Sequence, residues 1–167
     1  MAIPSTGSGH RADTYTVQRS ATVRAEPARV YEQVEDFRRW PAWSPWEELD
    51  PEMERSYSGP EKGVGSVYEW SGNRKAGEGR MEISRANEPN EVQIDLQFIK
   101  PFKSTSVTTF LFAPEGDGTR VTWTMTGPRT FGVKVMGLFK SMDKMVGPDF
   151  EKGLSRLKRL SEGATSG

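Results

Sequence analysis

The chain has 167 residues, 34% of them hydrophobic and 10% aromatic, and its 23 Lys and Arg balance 23 Asp and Glu. That length suits one domain whose core needs no disulfide or metal to hold it, and zero net charge argues against a polyanion-binding face, hence against DNA or RNA as a partner. There is no Cys, and the only histidine, His10, lies in a Ser/Gly-rich stretch that reads as a mobile tail, native or an expression remnant; disulfides, thiolate nucleophiles, cysteine-ligated metals and, within the folded part, Ser–His–Asp triads and His-rich metal sites are thereby excluded.

Any acid or base must then be Asp, Glu, Lys, Tyr, Arg or bound water. No apolar run approaches the roughly 18 residues that span a bilayer, and the N-terminus lacks the apolar centre of a signal peptide. No membrane insertion and a cytoplasmic location are the expectations. Residues 1–13 are expected to be a disordered tail, 14–162 one folded domain and 163–167 a flexible end.

In chain order, TYTVQRSATVRA (14–25) alternates, with Tyr15, Val17, Ala21 and Val23 on one face, as a half-buried strand does. Pro27 suits a first helical turn, and Val30, Tyr31, Val34 and Phe37 recur at helical spacing, so a helix is predicted to end near Trp40, ahead of Pro41. FRRWPAWSPW (37–46) then places Trp40, Trp43 and Trp46 three residues apart around two prolines. Residues 41–63 carry at most a short strand around Met53 to Tyr57.

Five strand-like segments follow, at 64–72, 79–86, 91–99, 104–112 and 119–127. NEPNE and PEGDGT between them are turn sequences, so the segments form an antiparallel meander. From about Val133 to Ser161, Met136, Phe139, Met142, Val146, Phe150, Leu154, Leu157 and Leu160 mark an amphipathic helix, with basic residues mostly opposite. Gly147-Pro148 predicts a kink near Lys144 to Pro148.

The opening TYTVQRSATVRAEPARVYEQVEDFRRWPAWSPW, the middle GVGSVYEWSG with GEGRMEI, and the closing DKMVGPDFEKGLSRLKRL resemble the bacterial polyketide cyclase/dehydrase-type branch of the START-related (SRPBCC) superfamily. The resemblance implies an α+β helix-grip fold: a curved antiparallel sheet of about seven strands wrapped around a long C-terminal helix, with two short helices after strand one. It also implies an apolar cavity between sheet and helix that takes a hydrophobic or aromatic small molecule. Members of the superfamily cyclise or aromatise polyketides, carry lipids or bind proteins, so the alternatives are a cyclase/aromatase or dehydratase and a protein-interaction or chaperone-associated module. A monomer or a homodimer is compatible with each.

By strand parity Tyr68, Trp70, Met81, Ile83, Leu96, Phe98, Trp123 and Met125 fall on the apolar face, with Met136, Phe139 and Met142 opposite on the helix; these are the candidate ligand contacts. Met side chains suit an adaptable pocket and an ordinary core equally. The tryptophan cluster is followed at once by acidic residues, which cancels the field a nucleic-acid platform needs. Trp40 and Trp43 are therefore expected to pack as structure, and Trp46 to approach the cavity mouth.

Asp143 stands at the edge of the helix stripe, either facing the cavity as an acid/base or ligand anchor, or paired with Lys140, Lys144 or a strand arginine, or simply exposed there. Asp143 and Tyr68 are the candidate catalytic residues, and Asp149 is expected to be exposed. Gly63-Val64-Gly65-Ser66 and Gly77-Glu78-Gly79 are not followed by helices, so they read as turn or strand-bend glycines rather than phosphate loops. No metal and no cofactor is expected.

Overall fold

The computed structural model describes residues 14–100, 103–128 and 142–166; of Met142 and residues 164–166 only the backbone is described. Seven strands, β1 (Thr14–Val23), β2 (Glu54–Ser58), β3 (Val67–Ser71), β4 (Glu78–Asn87), β5 (Glu91–Lys100), β6 (Ser104–Glu115) and β7 (Gly118–Pro128), form one antiparallel sheet in the order β1-β7-β6-β5-β4-β3-β2. Chain neighbours pair throughout from β2 to β7, and β1 returns to close beside β7. Register shifts between Glu78 and Gly79 and between Ile83 and Arg85 bend β4 against β5.

Burial alternates along every long strand as the sequence pattern requires. Val92, Ile94 and Leu96 on β5, Phe110 and Phe112 on β6, and Val121, Trp123 and Met125 on β7 are buried, while Asp95, Gln97, Leu111 and Arg120 face outward. The β6–β7 connection is a two-residue loop in which Gly116 takes a φ of 57°, a backbone region glycine enters without steric cost.

The helix predicted after β1 is shorter than its apolar spacing suggested. The α-helix, α1, covers Pro27–Val34, and two 3-10 helices follow at Phe37–Ala42 and Pro45–Glu48. Asp36 is extended and its side chain accepts a hydrogen bond from the Arg38 amide, so local side-chain capping restarts the chain in a tighter helix. Pro41 is accommodated inside that 3-10 helix.

The long helix, α2 (Met142–Ser166), continues through Pro148 without a break in the helical backbone. The predicted upstream part of this helix, with Met136, Phe139 and Lys140, lies outside the described residues, as does His10. Phe150, Leu154 and Leu157 are buried against the concave face, and Val146 and Leu160 are partly so.

Polar ties fix the helix at several turns. Arg19 of β1 reaches across to donate to Asp143 through Nη1 at 2.7 Å and Nη2 at 2.9 Å, and to Glu151 through Nε at 2.7 Å. Its guanidinium lies over Gly147, where a Cβ would sit 2.2 Å from Nη2, so the approach depends on a residue without a side chain. Arg156 pairs with Glu48 of the second 3-10 helix, and the Arg24 amide donates to Glu162 at 2.7 Å.

Candidate functional site

Between the concave face, the two 3-10 helices and α2 lies a cavity of about 420 Å³, within the usual range for small-molecule sites. The strands contribute Tyr68, Trp70, Met81, Leu96, Phe98, Lys100, Thr108, Trp123 and Met125. Trp40, Ser44, Trp46, Glu47, Leu49 and Met53 come from the segment after α1, Lys75 and Ala76 from the β3–β4 loop, and Val146, Asp149 and Phe150 from α2. The lining is mainly apolar and aromatic.

The aromatic rings are coupled into one wall. Trp123 stacks on Phe150 with centroids 4.1 Å apart and on Phe110 at 4.7 Å, while Trp46 meets both Trp123 and Phe150 edge-on at 5.7 and 5.9 Å. A second stack runs from Tyr57 through Tyr68 to Trp70, at 5.2 and 5.9 Å. Backbone carbonyls fix three of the indoles: Trp40 donates to Val34, Trp43 to Gln33 and Trp70 to Ala76, at 3.0, 3.1 and 2.9 Å. Among the described residues the buried Trp123 Nε1 has no acceptor, which costs about 1–3 kcal/mol and is sustained by the packing of its ring.

Charged groups reach this wall at few points. The Tyr68 hydroxyl donates to Glu47 Oε2 at 2.8 Å, and Arg55 Nε donates to Glu47 Oε1 at 2.7 Å. The Glu47 side chain is only 8% exposed, so its charge is held by this pairing rather than by water. Burial, reinforced by the Glu47 carboxylate, pushes the Tyr68 phenol far above its ordinary value and keeps it protonated. Lys75 and Lys100 stand at the exposed end, Lys100 with Glu78 3.9 Å away.

Asp149, expected at the surface, is half-buried and lines the cavity. Burial raises its carboxyl above the ordinary range, with Lys152 opposing. A carboxyl that titrates higher in the folded than in the unfolded state contributes most when protonated, and that contribution is lost as pH rises through the raised value. Asp149→Asn, uncharged at every pH, is expected to raise Tm by about 1–3 °C at neutral pH, with the gain vanishing below the ordinary carboxylate range. Thermal melts across pH check this; a lower Tm at neutral pH would contradict it.

Of the candidate ligand contacts, Trp46, Tyr68, Trp70, Met81, Leu96, Phe98, Trp123 and Met125 are brought together around the cavity. Ile83 is fully buried but belongs to the core rather than the lining, and the side chains of Met136, Phe139 and Met142 lie outside the described residues. Trp43 is completely buried behind the wall, whereas Trp40, expected to be purely structural, also borders the cavity.

Asp143 does not line the cavity. It is half-exposed and held by Arg19, whose guanidinium keeps the carboxyl below its usual range, so the strand-arginine pairing is the arrangement present. Glu47 was obscured in the sequence by the acidic run from Glu47 to Glu54, which reads as one solvated segment. Among the described residues no group of three or more His, Asp or Glu is placed to hold a metal ion, and no helix is long and apolar enough to cross a membrane.

Solved structures share this architecture. Protein Ms6760 from Mycobacterium smegmatis is 19% identical, with 87% of this chain and 89% of that one covered and a TM-score of 0.59. Ara h 8.0201 is 11% identical over 89% and 97% of the two chains, at a TM-score of 0.58. The Aha1 dimer from Colwellia psychrerythraea is 14% identical over 89% and 96%, at 0.59. At such identities the likeness is one of fold, the helix-grip arrangement. A comparison with curated proteins gives no significant match. The family model described as polyketide cyclase / dehydrase and lipid transport matches residues 14–162, from the first residue of β1 to the last turns of α2; the chain belongs to that family, within the START-related superfamily.

Proposed function

We propose that this protein binds a hydrophobic or aromatic small molecule, a lipid or a polyketide-like compound, between its sheet and α2. The observation that carries the reading is the cavity of about 420 Å³ walled by Trp46, Tyr68, Trp70, Trp123 and Phe150. Aromatic walls bind flat apolar ligands through large contact areas and edge or face stacking, and a few polar groups fix orientation. Membership of a family described by both cyclase/dehydrase and lipid-transport activities supports the same class of ligand.

A second reading, an enzyme of the cyclase/aromatase or dehydratase kind, draws support from the hydrogen-bonded Tyr68–Glu47 pair in the cavity wall. In that reading the pair holds and moves protons on the bound compound, and Asp143, engaged by Arg19, takes no part.

Titration with a panel of fatty acids, sterols and fused-ring aromatics is expected to raise Tm with concentration and to change tryptophan fluorescence. A flat response across the whole panel would overturn the binding reading.

A further inference from the structure

We infer that the cavity's ligand carries a neutral hydroxyl, phenolic or alcoholic, and that this hydroxyl donates its hydrogen bond to the corner formed by Glu47 and Tyr68. The inference deepens the binding reading above and rests on it. Glu47 and Tyr68 both line the cavity, and their hydrogen bonds to each other and to Arg55 leave this pair with acceptor positions and no free donor.

The Tyr68 proton is committed to Glu47 Oε2 at 2.8 Å, so the phenol oxygen presents lone pairs and no donor. An ionised carboxylate has about four acceptor positions. Two of them are taken, by Tyr68 and by Arg55 Nε, and among the described residues no other side chain fills the rest. Three of the five Arg55 N–H groups are engaged, Nε by Glu47 Oε1, Nη2 by the Glu47 backbone carbonyl at 3.1 Å and Nη1 by the Met53 carbonyl at 3.4 Å; the guanidinium also interacts with the Tyr68 oxygen, and the Arg55 side chain does not border the cavity.

An acceptor-only corner selects its ligand by what it rejects. An ether oxygen or a ligand carboxylate placed there meets lone pairs and negative charge in a poorly hydrated site, whereas a hydroxyl gains a charge-assisted hydrogen bond. Both Lys75 and Lys100 are solvent-exposed, and Lys100 is already near Glu78, so a ligand anion there competes with water and an existing ion pair.

Three probes with one skeleton separate the possibilities: 2-naphthol, 2-methoxynaphthalene and 2-naphthoate, titrated into the full-length chain at neutral pH. The naphthol is expected to bind about tenfold more tightly than the other two. In Glu47→Gln, Arg55 still requires an acceptor and holds the amide oxygen, which turns the amide N–H groups towards Tyr68 and the cavity. The preference for naphthol over the methoxy compound should therefore collapse or reverse, with the methoxy compound binding as before. Tyr68→Phe, which keeps the carboxylate, should retain the preference.

Equal affinity for naphthol and methoxynaphthalene, tightest binding of naphthoate, or an unchanged preference in Glu47→Gln would each overturn the inference while leaving the binding reading intact. No binding of any probe would overturn the inference, and only together with a flat response across the panel of fatty acids, sterols and fused-ring aromatics would it overturn the binding reading as well. Should Glu47→Gln fail to fold, the absorption of naphthol bound to the wild-type chain decides: a red shift marks a hydroxyl donating to a carboxylate, and an unshifted band is the contrary result.

Discussion

Trp43→Ala is expected to cost about 3–5 kcal/mol of folding stability, the upper range for emptying a buried aromatic site. Trp43 has no exposed surface, and its ring touches Trp40 at 4.6 Å, Trp123 at 5.6 Å and Phe110 at 5.9 Å. Its indole N–H also ties the 3-10 segment back to α1 through the Gln33 carbonyl. Alanine removes these contacts together, and the prolines at 41 and 45 leave the backbone little freedom to collapse into the space. Urea unfolding, read as a shift in midpoint at constant slope, measures the loss. Trp46→Ala, at a half-buried ring on the cavity side, should cost clearly less, and equal costs for the two would contradict the division of the cluster into support and lining.

The second large effect concerns a residue with no side chain. Gly79 of β4 lies under the Trp70 indole, and a Cβ there would sit 2.4 Å from Trp70 Cη2 and 2.6 Å from the Gln97 carbonyl oxygen. The carbonyl belongs to β5, so the indole has to yield and the β4–β5 pairing has to shift as well. Gly79→Ala is expected to lose about 1–3 kcal/mol, the usual cost of overpacking. It should also displace Trp70 from its stack on Tyr68 and its bond to Ala76, which deforms the cavity. A changed near-ultraviolet circular dichroism spectrum together with weaker ligand binding is the expected signature. Unchanged stability and spectrum would show that the strand absorbs the methyl group elsewhere.

Strands were legible because burial on one face imposes a period of two that few other constraints disturb. The expected segment from Glu91 to Ile99 and the observed β5 differ by a single residue. Arg19 is legible by the same rule: it shares parity with Tyr15, Val17, Ala21 and Val23, so it points towards α2, where a long stem lets a charge meet Asp143 and Glu151.

The end of α1 was less accessible, since Phe37 and Trp40 continue the apolar spacing although Asp36 caps a new 3-10 helix between them and Val34. Parity carried most of the strand-borne lining. It could not supply Glu47 or Asp149, whose roles depend on where a 3-10 helix and α2 sit over the sheet. The polar end of the cavity is a property of tertiary approach, and no local pattern encodes it.

The closeness of the indoles also governs how this protein emits light. Trp40, Trp43 and Trp123 form a continuous series with neighbouring centroids 4.6 and 5.6 Å apart, and Trp46 joins it through Trp123 at 5.7 Å. Excitation absorbed by one ring at such separations migrates among all four, so no emission can be assigned to a single residue. A compound that quenches Trp46 alone therefore also drains excitation from Trp43, which it never touches, and the cluster works as one antenna whose brightness responds to a quenching occupant of the cavity.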